Sequence, residues 1–401
     1  MREELLLQRL LSALPLHTDV PLRLALWNGV ERDLGLSPTV TVRLHGPGAL
    51  RCFLPPSLDN LAEGYVQGLF DVQGKAQDIV EAATRLAHAS LPIAGKFGRL
   101  FRPARHTPQT DADGIAHHYD VSNDFYRLWL DPQMVYSCAY FPDPGLSLEQ
   151  AQLAKIDHIL NKVMLQPGQR LLDVGCGWGA LAIRAAQARG ASVVGITLSR
   201  RQCELARERV AQAGLHDQVE IRLQDYRDID EPFDRITSVG MFEHVGLKHL
   251  QDYFGKLRSV LRDGGLVLNH GITTTDPDSG GAPLGAGHFI GKYVFPQGEL
   301  PHLSLAVREM QAAGLEVLDV ENLRRHYART LALWSDNYET HGEAIRATVD
   351  DSTYRVWRIY LAGCAHAFAQ DWVSLYQVLA CKSGSDARLN PTPWSRAWMY
   401  H

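Results

Sequence analysis

The chain has 401 residues, 45% hydrophobic and 21% charged, with a formal net charge of −5 and a pI near 6.4. That length supports a sizeable core and two domains, while the mild acidity argues against a nucleic-acid partner. Six scattered cysteines with no Cys-x-x-Cys pair fit a reducing, cytoplasmic setting and argue against a disulfide frame or a zinc knuckle, so no metal site is expected. No apolar run approaches the roughly 20 residues of a membrane span, and the acidic start does not match the usual signal peptide. Any membrane work is expected from the surface.

Leu5, Leu6, Leu10, Leu11 and Leu14 predict an amphipathic helix over 2–14. Alternating runs at Leu22–Leu26, Val40–Leu44 and Leu50–Leu54 predict half-buried strands, followed by helices over about 56–73 and 75–90. Residues 1–90 therefore read as a small α+β domain, suited to packing, lipid docking or dimerisation. In the linker 91–115, Lys96, Arg99, Arg102 and Arg105 interleave with Phe97, Leu100 and Phe101, a composition that suits an anionic lipid interface. Residues 117–141 are dense in aromatic and polar groups. There a short helix over Asp124–Leu130 ends at Pro132 and leads to Tyr136, Ser137 and Cys138.

A helix over 149–165 leads into residues 170–202, RLLDVGCGWGALAIRAAQARGASVVGITLSRRQ. This reads as strand, glycine turn, helix and strand. Such a unit puts bare backbone and a helix N-terminus beside the strand's carboxyl end, where doubly wound sheets bind nucleotide-like ligands. The spacing is G-x-G-x-G, unlike the dinucleotide G-x-G-x-x-G. Asp173 at the strand's end would repel a pyrophosphate but suits a cation, such as a sulfonium bearing an amino group. The pair points to S-adenosylmethionine rather than NAD. Further strands follow over 219–223, 233–239 and from 266, each ending in a polar cluster: Gln224, Asp225 and Tyr226; Gly240, Glu243 and His244; then Asn269 and His270. A glycine-rich loop over 273–302 suits a mobile cover. A strand over 315–320, a helix with Leu331, Leu333 and Trp334 inward, a helix over 354–368, a strand over 375–379 and a peripheral polar tail complete the chain. The β-α repetition predicts an α/β fold, a doubly wound Rossmann-like sheet.

The stretches HYDVSNDFYRLWLDPQMVYSCAYF, LLDVGCGWG, GITLSRRQ, DYRD, SVGMFEHVG, FIGKYVFPQGELP, HYARTLALW and LAGCAHAF resemble the cyclopropane-fatty-acyl-phospholipid synthases and the mycolic acid cyclopropane synthases. The resemblance covers about 115–380. It implies a seven-stranded class I methyltransferase sheet, with residues 116–401 as the catalytic domain and an extra amino-terminal domain that makes a homodimer an expectation. The implied reaction adds a methylene group from S-adenosylmethionine to a cis double bond in membrane phospholipid, at the inner face of the membrane. The sulfonium methyl is transferred to the alkene, and the carbocation is deprotonated by bound bicarbonate.

The resemblance implies bicarbonate ligands at Cys138, Gly240, Glu243, His270, Ile272 and Tyr327, with Glu243, His270, Tyr327 and Cys138 catalytic. It implies cosubstrate contacts at Tyr136, Ser137, Asp173, Gly175, Gly177, Gly179, Thr197, Ser199, Gln202, Gln224, Asp225 and Tyr226. This chain has Gly271 where relatives usually carry Thr, which bears on acyl-chain preference. The competing readings are a lipid methyltransferase that leaves a methylene or methyl branch, and a non-catalytic binder of S-adenosylmethionine or membrane.

Overall fold

The computed structural model describes residues 20–54, 56–90, 121–278, 287–295, 298–382 and 390–400. The amphipathic helix expected over 2–14 and the basic linker 91–115 lie outside these residues. The described residues divide into two compact units. One is drawn from 1–102, 281–296 and 331–370, the other from 103–280, 297–330 and 371–401. The units are thus discontinuous in sequence, whereas the sequence reading sets continuous boundaries at 90 and 116. Arginine explains part of this grouping. Arg355 pairs with Asp71 at 2.8 Å, and Arg358 donates to the Gly74 carbonyl at 2.7 Å.

In the first unit, β1 (Leu22–Ala25), β2 (Glu31–Asp33), β3 (Val40–Leu44) and β4 (Phe70–Gln73) form a sheet in the order β2-β1-β3-β4. Strand β2 is charged and exposed, so no apolar alternation announces it. Arg23 holds it through Asp33 at 2.7 Å. The strand expected over 50–54 is absent, because Pro47–Cys52 forms a 3-10 turn that buries Ala49, Leu50 and Cys52. The helix expected to reach residue 73 is Leu58–Val66. Gly68, with a φ of 69°, turns the chain out of it and into β4.

In the second unit, β5 (Arg170–Val174), β6 (Ser192–Thr197), β7 (Val219–Leu223), β8 (Phe233–Val239), β9 (Leu261–Thr274), β10 (Glu316–Asn322) and β11 (Val373–Cys381) form one sheet. Its order is β10-β11-β9-β8-β5-β6-β7, and β11 runs antiparallel to both neighbours. This is the seven-stranded Rossmann-like methyltransferase sheet the resemblance implies. The chain steps from β5 to β6 and β7, then crosses to β8 on the other side of β5. The β5/β8 boundary is therefore the topological switch at which open α/β sheets bind ligands. Apolar residues on alternate strand positions fill the layers on both faces, including Leu171, Val193 and Ile221 on one and Leu172, Val194 and Ile236 on the other. The chain's end is not wholly peripheral. Met399 is buried in the first of these layers, and its carbonyl meets His158 Nδ1 at 3.0 Å.

Candidate active site

The glycine turn after β5 forms as its sequence requires. Gly175, Gly177 and Gly179 have φ values of 77°, 54° and 84°, a region that side chains disfavour. The Gly175 and Cys176 amides both donate to the Ile196 carbonyl at the end of β6, at 3.0 and 2.9 Å. Gly179 then starts the Ala180–Arg189 helix with no side-chain cap, so its first amides are left for another acceptor. Trp178 is pinned to Asn123 Oδ1 at 2.8 Å.

Beside the turn lies an open pocket, about 990 Å³ of space including solvent at its mouth. Of the residues assigned to the cosubstrate, Tyr136, Ser137, Asp173, Gly175, Gly177, Thr197, Gln202, Gln224 and Tyr226 line it, as does Gly240 from the bicarbonate set. Gly179, Ser199 and Asp225 do not appear on its wall. The Ser199 hydroxyl accepts the Gln202 amide at 3.3 Å and caps the Arg200–Gln212 helix. Asp225 accepts the Arg227 amide at 2.9 Å and pairs with that guanidinium at 2.7 Å. Both side chains are engaged in starting turns.

The pocket holds buried charge of both signs. Asp173 faces Thr237 across the β5–β8 register and accepts its hydroxyl at 2.9 Å. Burial still raises the Asp173 carboxyl to about 6. Lys155, from the Leu148–Lys162 helix, also lines the pocket and donates to the Ser137 hydroxyl at 2.7 Å. Burial lowers its ammonium to about 8. Sequence reasoning missed Lys155 and Thr237. The signal for Thr237 was a polar residue in the middle of an apolar strand.

A second polar group sits where β8, β9 and β11 meet. Parallel pairing sets Val239 beside His270, antiparallel pairing sets Gln377 beside His270, and the Gly240 amide donates to the His270 carbonyl at 2.8 Å. Glu243 lies in a short turn just after β8, and its Oε1 accepts the Ile272 amide at 2.6 Å. The structure thus brings Gly240, Glu243, His270 and Ile272 together. Glu243 is 6% exposed and His270 1%. Burial pushes the Glu243 carboxyl up to about 7 and drives the His270 imidazole well below its ordinary range, aided by Lys155 and Lys162. Among the described residues, Glu243 Oε2 and His270 Nε2 are buried with no hydrogen-bond partner. Gln377, also missed from sequence, meets His270 Nδ1 through its amide nitrogen at 3.2 Å.

Cys138 and Tyr327 are joined at the Leu323 carbonyl, which accepts the Cys138 thiol at 3.8 Å and the Tyr327 amide at 3.0 Å. The thiol also donates to the Ala139 carbonyl at 3.1 Å, and burial raises it far above the usual thiol range. Cys138 is therefore held as a neutral thiol.

Residues 106–378 match the family model described as mycolic acid cyclopropane synthetase, and residues 9–92 match a domain of unknown function. The chain is 47% identical to a probable fatty acid methyltransferase of Pseudomonas putida, over 95% of this chain and 96% of that one. It is 35% identical to a tuberculostearic acid methyltransferase of Mycobacterium tuberculosis, over 92% and 89%. Among solved structures it resembles the mycolic acid cyclopropane synthase CmaA1 complexed with SAH and CTAB. The TM-score is 0.65 at 37% identity, covering 68% of this chain and 98% of that one.

Proposed function

The chain belongs to the mycolic acid cyclopropane synthetase family of S-adenosylmethionine-dependent lipid enzymes, and on that premise we propose that it forms cyclopropane rings on unsaturated phospholipid acyl chains. The sulfonium methyl passes to one carbon of a cis double bond, and S-adenosylhomocysteine leaves. The other carbon becomes a cation, which closes the ring as a proton departs from the transferred methyl group. An alkene is a weak nucleophile with no acidic proton to shed, so this reaction needs close positioning and a separate, dry proton acceptor.

The observation that carries the reading is that Glu243, just after β8, and His270, on the adjacent β9, are both buried and leave Oε2 and Nε2 without a partner. Bicarbonate fits such a pair, because Glu243 Oε2 would accept its hydroxyl while a neutral His270, protonated on Nε2, would donate to its oxygen. Cys138, Tyr327 and the backbone at Gly240 and Ile272 would complete its surroundings. When bound, the ion supplies the base that takes the departing proton. Gln377 donating to Nδ1 would leave the His270 proton on Nε2. The enzyme would work from the inner face of the membrane. Among the described residues no helix is long and apolar enough to cross one.

A second reading, transfer that leaves a methylene or methyl branch, is favoured by the two fatty-acid methyltransferase relatives. Fatty-acid analysis after incubating the protein with S-adenosylmethionine and vesicles of cis-monounsaturated phospholipid separates the two. The expected product gains CH₂ and resists ozonolysis. A product that gains CH₂ but is still cleaved would favour the methylene branch, and no gain at all would overturn both.

A further inference from the structure

Among the described residues that line the cosubstrate pocket, Lys155 is the one lysine or arginine, and it is 2% exposed. It lies on the inner side of its helix, beside the buried Gln152, Ile156 and Ile159. Its ammonium has three hydrogens to donate and meets the Ser137 hydroxyl at 2.7 Å. Among the described residues no carboxylate forms an ion pair with it. The two carboxylates whose charge reaches it are engaged elsewhere. Asp131 accepts the Gln133 and Val135 amides, each at 2.9 Å, and Asp173 accepts the Thr237 hydroxyl. Burying an ammonium without an anion is costly, and a side chain kept so on a pocket wall calls for an anion from the ligand.

The aminoacyl end of S-adenosylmethionine carries one ammonium and one carboxylate. Asp173 suits the first. We propose that Lys155 receives the carboxylate of the methionine moiety, so that Asp173 and Lys155 together select the cosubstrate's zwitterion. The assignment rests on S-adenosylmethionine as cosubstrate and is independent of which lipid product forms. It makes Lys155 a specificity-determining residue: adenosyl sulfur compounds lacking the carboxylate are discriminated against at this position.

The test is calorimetric titration of the full chain with S-adenosylhomocysteine and with its decarboxylated analogue, which keeps the amine. The wild type should bind the complete ligand at least about tenfold more tightly, as a hydrogen bond to a charged group implies. K155M, of similar length and uncharged, should lose at least about tenfold for S-adenosylhomocysteine and bind both ligands within about twofold of each other. Equal binding of the two ligands by the wild type overturns the assignment with no variant needed. So does a K155M that weakens both ligands equally, since that marks a structural role. Failure of the wild type to bind S-adenosylhomocysteine would overturn the cosubstrate reading along with it. The vesicle assay reads the lipid product by itself, so a failed carboxylate assignment with the cosubstrate still bound is told apart from failure of the cyclopropane reading.

Discussion

The two ends of the site treat buried polar groups in opposite ways. At the cosubstrate end, Asp173 and Lys155 carry opposite charges on the wall of an open pocket, and each is steadied by a neighbouring hydroxyl. At the Glu243–His270 end, burial moves both groups toward their neutral forms, and each keeps one polar atom without a partner. The first arrangement suits binding an ion whose charges are already fixed. The second suits moving a proton, because a carboxyl near 7 exchanges one readily at neutral pH.

The variant expected to separate the ends most sharply is E243Q. The amide keeps an oxygen for the Ile272 amide hydrogen but cannot titrate. Turnover on unsaturated phospholipid vesicles should fall about a thousandfold, the scale of a lost acid–base group. Affinity for S-adenosylhomocysteine should stay within about twofold, because the Glu243 side chain turns to the Ile272 amide and is not on the pocket wall. Unchanged turnover would remove Glu243 from the proton chemistry. The same variant has a signature in stability. A carboxyl raised to about 7 stabilises the fold fully below its ordinary value of 4.5, and that contribution is lost as pH rises through 7. E243Q should therefore gain on the wild type between pH 5 and pH 8 by on the order of 3 kcal/mol in urea unfolding. The difference between the two proteins is the quantity to follow, because His270 has the opposite sign. Its lowered pKa costs stability as pH falls below 6.5.

The contrast between the ends also shows what could be read from the chain. The cosubstrate loop is contiguous: strand, glycines and helix follow one another, and Asp173 sits at the strand's end. Family motifs pointed equally well to Glu243 and His270, but not to what holds them. Gln377 reaches His270 only because β11 pairs antiparallel with β9, over a hundred residues away in sequence. Lys155, in AQLAKIDHILNK, has the composition of a solvated helix, and only packing shows that it and Lys162 face inward. Strand β2 was invisible because three charged residues carry no hydrophobic period. That the Ser199 and Asp225 side chains cap the turns that follow them shows only in the folded chain.

A milder perturbation of the Glu243–His270 end is Q377L. Gln377 is fully buried, and leucine retains most of its volume while removing the amide next to His270 Nδ1. Turnover should fall about tenfold, the worth of roughly one buried hydrogen bond. Nitrogen chemical shifts of the imidazole should report a mixed tautomer, and binding of S-adenosylhomocysteine should be unaffected. If turnover holds and the tautomer does not change, Gln377 does not orient the ring.

The smallest effect belongs to the cosubstrate end, at a glycine whose family role and structural role differ. Gly179 has a φ of 84°, and a Cβ placed there would lie 3.3 Å from the Ala206 Cβ on the Arg200–Gln212 helix. Gly177 has a φ of 54° with no atom within 4 Å of the same position, and it lines the pocket. The turn therefore uses one glycine to leave room beside the ligand and the other to let two helices approach. G179A should cost about 1 kcal/mol of stability, from the left-handed backbone and the tight helix contact. Its affinity for S-adenosylhomocysteine should change by no more than about twofold, because the strain falls on packing behind the pocket wall. Thermal unfolding and calorimetry on the same preparation distinguish the two roles. A loss of affinity with stability intact would make Gly179 a ligand contact, as the family motif implies, and would extend the binding surface to the first turn of the helix.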